Sequence, residues 1–318
     1  MLDTHQLHVF VVAAETLNFT EAARQLNMSQ PSVSQHIRSL EKHFNTRLFE
    51  RIGRGIRLTD EGNALLPLAR EIVYQSIRIE EAMASLRGEI FGSLLVGCST
   101  TPGKYVLPQI LVEFHRLYPK VSVVCQVSSQ QHAIELLCSG KIHFALSSRI
   151  SLPCTGAEFR LFMQDPVVLL VPEDHPWAKQ GRVTPEELRR GTFLLREPGS
   201  GTYDAIDEAL HNTGVVSIHE LNIIMTLGNS EAIALAVQEG LGVGFVSHMI
   251  ATRIPKGGVK IVPIEGVEIC RDIYIGRQTV HPATAAQTAF WELAQTLNPL
   301  NVCGSVPAEA IADSADSG

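Results

Sequence analysis

TEAARQLNMSQPSVSQHIRSLEKHF, residues 20–44, is the stretch whose reading decides the fold. It reads as two helices broken by the polar turn NMSQ. Thr20 is the expected N-cap of the first, a hydroxyl that accepts from a free backbone N–H. Pro31 falls in the first turn of the second, where its missing N–H costs nothing. Val33, Ile37, Leu40 and Phe44 then follow the 4-3-4 spacing of one buried stripe. The other face carries Gln30, Ser34, Gln35, His36 and Arg38. A helix that keeps just enough apolar surface to dock and turns amides, hydroxyls and a guanidinium outward has the form of a helix-turn-helix reader. Gln matches adenine edges and Arg guanine edges in the major groove. Ser34, Thr20 and a helix N-terminus suit phosphate oxygens.

The flanking residues agree. Leu7, Phe10, Val11, Ala14 and Leu17 recur at helical spacing over residues 4–16, giving a support helix. TRLFERIGRGIRLT, with Gly53 and Gly55 between two β-like runs, predicts a small hairpin, or wing. From Glu21 to Arg57 seven Lys/Arg face three acids, net +4, whereas residues 58–90 hold three Arg against six acids, net −3. An ordinary solvated hairpin of helices is the competing reading; positive charge gathered on the reader and wing argues against it.

From Thr59 to about Arg87 the pattern predicts one long helix, with Gly62 and Pro67 confined to its early turns. Leu65, Ile72, Ile79 and Leu86 are spaced by seven, and Ala69, Ser76 and Met83 form a second row four residues later, a coiled-coil-like seam. Such a helix, with no core of its own, is expected to pack on a copy of itself. Packing of the stripe on its own wing is the alternative, which the length leaves incomplete.

Beyond Gly88 and Gly92 the texture alternates β and α: SLLVGCS, KYVLPQILVEFHRLY, VSVVCQVS, QHAIELLCSG, FALSS, and again PVVLLVP, TFLLRE, AIDEALHNTG, SEAIALAVQEGLG, VGFVS. This predicts mostly parallel sheet in two α/β lobes, joined near residues 160–165 and 265–270. The fold class is therefore α+β and multi-domain. Its parts are a winged helix-turn-helix at 1–58, a dimerising linker helix at 59–88, lobe I at 92–164 and 268–300, lobe II at 165–267, and a loose polar tail at 301–318.

In α/β lobes ligands bind where helices begin at the carboxyl ends of strands. Four such starts are readable: Thr100 and Thr101 in CSTTPG, Ser128 and Ser129 in VSSQQ, Ser200 and Thr202 in REPGSGTY, and Asn229 and Ser230 in LGNSEA. Hydroxyls, free N–H groups and helix dipoles converging on one crevice favour a small polar or anionic effector. Lys104, Arg149 and Arg196 are candidates to add full charge. The bland reading of each Ser or Thr is a plain N-cap, worth about 1 kcal/mol to its helix.

The totals set bounds. At 318 residues, 45% hydrophobic and 19% charged, the chain suits two or three domains with buried cores. A net charge of −7 argues against a general polycationic coat on nucleic acid but not against a local basic patch. The six cysteines, Cys98, Cys125, Cys138, Cys154, Cys270 and Cys303, show no C-x-x-C spacing. Neither a zinc site nor a disulfide framework is expected, and a reducing cytoplasm fits. The start MLDTHQLHVF shows no signal peptide, and no apolar run approaches the roughly 20 residues that span a bilayer.

The block FVVAAETLNFTEAARQLNMSQPSVSQHIRSLEKHFNTRLFERIGRGIRLTDEG, residues 10–62, resembles the amino-terminal winged helix-turn-helix of LysR-type transcriptional regulators, and the resemblance extends to about residue 297. STTPGKYVLP and LREPGSGTY resemble most the regulators of carbon fixation, with the sulfur-metabolism branch close. The resemblance implies that Gln30, Pro31, Ser34, Gln35 and Arg38 face the major groove, that Arg51 and Arg54 of the wing lie at the neighbouring minor groove or backbone, and that Thr20 meets a phosphate. Val33, Ile37 and Leu40 would be structural, and His36 either a groove contact or a structural histidine. The lobes would resemble periplasmic solute-binding proteins, which close on small molecules. The implied partners are double-stranded DNA, a small-molecule effector, further copies of the chain as homodimer or homotetramer, and RNA polymerase. No cofactor, metal or membrane is expected. Tyr203 stands where many relatives carry a basic residue after GSGT, which weakens transfer of a strongly anionic ligand.

Two other classes compete. A cytosolic enzyme on the α/β lobes finds no G-x-S-x-G, H-E-x-x-H or G-x-x-x-x-G-K-[ST] to carry it. A thiol redox sensor would use Cys98, next to the predicted pocket; a buried, inert strand cysteine is the plainer reading.

Overall fold

The computed structural model describes residues 1–53, 55–148 and 154–297. The expectations for Arg54, Arg149, Cys303 and the tail at 301–318 fall outside them. The chain divides into two compact units, Met1–Ile90 and Phe91–Gly318.

The first unit holds α1 (Thr4–Thr16), α2 (Phe19–Gln25), α3 (Gln30–Phe44), β1 (Phe49–Ile52), β2 (Gly55–Leu58) and α4 (Asp60–Ser85). Asn18, not Thr20, caps α2: its side chain accepts from the backbone N–H groups of Thr20 and Glu21. The carboxamide reaches both donors from the residue preceding the helix, which leaves Thr20 in the first turn and exposed. Ser29 caps α3 through the Ser32 N–H. Val33, Ile37 and Leu40 are buried against Leu7, Phe10 and Leu48. Complete burial of each such side chain stabilises the unit by about 1.5–3 kcal/mol. Phe44, expected to continue the stripe, sits at the exposed end of α3. β1 and β2 pair antiparallel from Phe49↔Leu58 to Ile52↔Gly55 and form the wing. α4 is 26 residues, about 39 Å at 1.5 Å per residue. Its first turn needs Gly62, since a Cβ there would lie 2.3 Å from the Leu48 carbonyl oxygen.

The second unit is built on one nine-stranded sheet. β3 (Gly92–Cys98), α5 (Leu107–Leu117), β4 (Val121–Val127), α6 (Gln130–Cys138) and β5 (Phe144–Ser147) form the first lobe with α11 (Ala285–Thr296). The second lobe contains α7 (Pro176–Gln180), β7 (Thr192–Leu195), α8 (Gly201–Thr213), β8 (Asn222–Thr226), α9 (Ser230–Gln238), β9 (Val243–Ser247), α10 (His248–Arg253) and β10 (Val259–Val262). Two long strands, β6 (Ala157–Pro172) and β11 (Ile269–Gln278), run antiparallel to each other and join the lobes. Within the lobes β3 pairs parallel with β4 and β5, and β7 with β8 and β9. The strand order is β4-β3-β5-β11-β6-β9-β7-β8, with β10 on β6. Parallel β-α-β units place every helix start at the same edge of its lobe, which is what builds a cleft.

Cys138 and Cys154 form a disulfide, against the expectation of none. Cys138 ends α6 and Cys154 lies just before β6, so the fold brings their Cα atoms to 5.6 Å across 16 residues of sequence. That proximity follows from packing and leaves no mark on linear spacing.

Candidate DNA-reading face and effector cleft

The outward face of α3 is open. Gln30, Pro31, Gln35 and Arg38 are exposed and Ser34 is half-buried. Gln30 Nε2 donates to Ser34 Oγ at 2.9 Å, one turn apart, which aligns an amide and a hydroxyl along the face. His36 packs edge-on against His5 of α1 with ring centroids 5.0 Å apart, the structural alternative for that residue. On the wing Arg51 is exposed. The local acids are tied down nearby: Glu21 pairs with Arg24 at 2.6 Å, Glu50 pairs with Arg57, and Glu41 Oε1 accepts from the N–H groups of Leu48 and Phe49. Arg38, Lys42, Arg47 and Arg51 therefore dominate the field of this surface.

α4 splits into two parts. Leu65 packs against the core of the first unit, and Ala69 and Val73 are part of it. Leu65 is thus spent on holding α4 to α1 rather than left for a partner, because the first turns of α4 lie beside α1. Further along, Ile72, Ile79, Met83 and Leu86 are exposed, Ile79 at 64% and Leu86 at 81%. Together with Ser76 they alternate spacings of four and three, the geometry of a coiled-coil seam.

In the second unit a cavity of about 330 Å³ is lined by Thr100, Thr101, Ser128, Ser129, Ser200, Arg196 and Arg271, among others. Helix starts converge on it. Ser129 caps α6 through His132 N–H, and Ser200 caps α8 through Tyr203 N–H. Thr101 immediately precedes the π-helical turn Pro102–Val106 that leads into α5. Arg196 is only 10% exposed and gives both Nε and Nη2 to Glu197, at 2.9 and 2.7 Å. This bidentate contact holds the Glu197 carboxyl below the usual carboxylate range. Arg196 Nη1 also donates to Ser230 Oγ at 3.2 Å. A larger cavity, about 940 Å³, is walled by Asp204, Asp207, Glu208, Glu268 and Asp272. Those carboxylates repel an anion, so the smaller cleft with its converging donors is the effector candidate.

Of the residues expected at the cleft, Thr202 and Asn229 do not line it. Thr202 is completely buried and accepts from Arg271 Nη1 at 2.8 Å. Asn229 turns its Oδ1 to Glu231 N–H as the cap of α9. Lys104 lies at a lobe-to-lobe contact, where its Nζ donates to Glu231 Oε2 at 2.8 Å and Tyr105 OH donates to Oε1 at 2.7 Å.

Sequence reasoning missed Arg271, Asp165, Ser247, Gln130, Ser148 and Gly201. Arg271 Nε donates to Asp165 Oδ2 at 2.7 Å, and Ser247 Oγ donates to Asp165 Oδ1 at 2.7 Å, all three residues buried where β6 and β11 cross between lobes. Gln130 Nε2 donates to the Gly199 carbonyl at 3.0 Å from the opposite lobe. Ser148 Oγ donates to Gln130 Oε1 at 2.8 Å, and Gly201 comes so close that a Cβ there would lie 1.7 Å from Ser148 Oγ. Arg271 had a readable signal: it stands in phase with Ile269, Ile273 and Ile275 on the buried face of its strand. The others follow from lobe-to-lobe approach alone.

Comparison with known proteins completes the assignment. The family model for the bacterial regulatory helix-turn-helix protein of the lysR family matches residues 4–63. The model for the LysR substrate binding domain matches residues 87–298. The chain belongs to the LysR family of DNA-binding transcriptional regulators, which are not enzymes. Similar proteins include an uncharacterized HTH-type transcriptional regulator of Methanocaldococcus jannaschii, 33% identical over 89% of this chain and 95% of that protein. The RuBisCO operon transcriptional regulator of Allochromatium vinosum is 30% identical over 90% of this chain and 93% of its own length. Among solved structures, full-length CbnR complexed with its target DNA superposes with a TM-score of 0.62 at 24% identity, covering 93% of this chain and 99% of that one. The Synechocystis CcmR regulatory domain in complex with 2-PG superposes with a TM-score of 0.58 at 23% identity, covering 65% of this chain and 98% of that one.

Proposed function

We propose that this regulator reads duplex DNA with Gln30, Pro31, Ser34, Gln35 and Arg38 of α3, with Arg51 and Arg54 of the wing and Thr20 at the backbone, and that it answers to a small organic anion held between its lobes. The observation that carries the first half is the split of α3: a buried Val33–Ile37–Leu40 stripe behind an exposed row of amide, hydroxyl and guanidinium. The second half rests on the helix starts at Thr101, Ser129 and Ser200 around one cavity that also holds Arg196 and Arg271. Thr100, Thr101, Ser128, Ser129 and Ser200 supply neutral donors. Arg196 is the charged seat, with Glu197 resting on it until an anion takes its place.

The exposed seam Ile72–Ile79–Met83–Leu86 supports pairing of two copies through α4, so that two readers address two half-sites related by a two-fold axis. Pairing of dimers into a tetramer and contact with RNA polymerase extend this reading. The names of the relatives favour control of carbon-fixation genes, and phosphorylated two- and three-carbon acids are the effectors to try first. A role on chromosomal DNA would put the protein in the cytoplasm; among the described residues no helix is long and apolar enough to cross a membrane.

The test is selection of bound duplexes from a random library by wild type and by the Q35A/R38A double variant. Wild type is expected to enrich one two-fold-related site. The variant is expected to keep its fold and its salt-dependent non-specific binding, while losing about 1–3 kcal/mol of discrimination for each bidentate base contact removed. An unchanged selected site would refute the assignment of the reading face. In parallel, 2-phosphoglycolate should raise the melting temperature of wild type and not of R196Q.

A further inference from the structure

Two free cysteines, Cys98 and Cys125, lie on neighbouring strands of the first lobe. β3 and β4 pair in parallel with Val96 opposite Cys125 and Cys98 opposite Val127, so the two cysteines lie diagonally on one face of the sheet. Their sulfurs lean together to 3.4 Å. Cys98 is buried, while Cys125 is exposed on the edge strand. Cys98 also abuts the effector cleft: Ser99, Thr100 and Thr101 follow it directly and line the cavity. A Cβ at Gly103 would lie 2.5 Å from Cys98 Sγ, so the turn after those residues rests on the sulfur.

We propose that Cys98 and Cys125 form a peroxide-oxidisable dithiol in the wall of the cleft, with Cys125 the attacked thiol and Cys98 the resolving one. The division of roles follows from access and from acidity. Cys125 is reachable from solvent, and its contact with the Cys98 sulfur lowers its pKa to about 7. The same contact and burial push the Cys98 thiol up. In the first step the Cys125 thiolate attacks an oxygen of hydrogen peroxide; an S–O bond forms, the O–O bond breaks, and hydroxide leaves and takes a proton to become water. In the second step the Cys98 sulfur attacks the Cys125 sulfenic acid; an S–S bond forms, the S–O bond breaks, and the departing hydroxide takes the Cys98 proton as a second water. The protein gives up two electrons and two protons, and the peroxide is reduced to two waters.

A bond between diagonal positions draws the end of β3 along β4, because a disulfide spans about 2.05 Å between sulfurs. The displaced end of β3 carries Ser99–Thr101, so oxidation reshapes the wall of the cleft. This coupling rests on the cleft being the effector site; the redox pairing does not.

The experiment treats the full-length protein with one equivalent of hydrogen peroxide, blocks remaining thiols, and maps peptides without reductant. Wild type is expected to give a peptide joining Cys98 to Cys125, lost on adding dithiothreitol. C98S should leave Cys125 as a sulfenic acid trapped by dimedone, and C125S should lose the oxidation of Cys98. Hydrogen exchange across residues 99–106 should change in oxidised wild type and not in peroxide-treated C98S. No joined peptide, or equal oxidation of Cys98 in C125S, overturns the pair. A joined peptide with unchanged exchange at 99–106 overturns the coupling to the cleft, whatever ligand the cleft takes.

Discussion

Gly201→Ala puts the lobe-to-lobe contact to a direct test. Gly201 opens α8 in one lobe, and Ser148 follows β5 in the other. An added methyl would lie 1.7 Å from Ser148 Oγ and 2.6 Å from Ser148 Cβ, with Gln130 Oε1 next at 3.5 Å. Rotating the serine hydroxyl away removes the first clash and leaves the second, so the lobes must part. Overpacking of this kind costs about 1–3 kcal/mol. Replacing Gly at a helix start recovers at most about 1 kcal/mol of backbone entropy, so the net effect remains destabilising. A double-mutant cycle in urea isolates the contact: G201A combined with S148A should remain strained, because the serine Cβ persists, whereas G201A combined with S148G should show a favourable coupling of about 1–2 kcal/mol. No cost for G201A would show that Gly201 does not touch the opposite lobe, and full rescue by S148A would show that the hydroxyl, not the serine Cβ, is what the added methyl meets.

Loss of the Cys138–Cys154 bridge, which closes 16 residues, should destabilise the second unit by about 3 kcal/mol in the chain-entropy account, read as a lower urea midpoint for C138S/C154S. His143 accepts from Leu95 N–H through Nδ1, and burial, then the nearby His281, lowers its pKa to about 4. The folded state therefore refuses a proton that the unfolded chain takes up below its ordinary value near 6.5. Stability is full above that value and is lost as pH falls towards 4, about 2 kcal/mol between about pH 7 and about pH 5. H143N keeps an acceptor for Leu95 and should flatten that slope. On α4, I79E/M83E should convert the proposed α4-paired dimer to monomers in sedimentation velocity, since two apolar side chains that pairing would bury, each worth about 1.5–3 kcal/mol when fully buried, become like charges facing each other.

The first unit was legible because its signals are local. The stripe Val33–Ile37–Leu40, the proline at the start of α3, the wing glycines and the charge contrast all lie within a few residues of one another. The errors there were matters of a single position: Asn18 caps in place of Thr20, and Leu65 is consumed by α1 before the seam begins. In the second unit the helix starts were readable from Thr101, Ser129 and Ser200. The roles of neighbouring hydroxyls were not. Thr202 and Ser200 look alike in GSGT, yet one is locked to Arg271 and the other opens to the cleft, and only the partner strand β11, some 70 residues away, decides between them. The Cys138–Cys154 bridge and the Ser148–Gly201 approach have the same origin: each joins segments that only the closed fold brings together.

Arg271 ties these long-range features into one mechanical element. It is 6% exposed and on the strand that passes between lobes, with Asp165 of the antiparallel partner strand on one side and Thr202 of α8 on the other. A buried ion pair is poor evidence for stability, because desolvation of both charges offsets their attraction. Its directional hydrogen bonds do fix register: the guanidinium cannot keep Asp165 and Thr202 together unless β6, β11 and the start of α8 hold one mutual orientation. The same residue lines the cavity proposed as the effector cleft. An anion drawn to the cleft would therefore compete for, or reinforce, the group that sets the angle between the lobes, so ligand charge and lobe geometry are read by a single side chain.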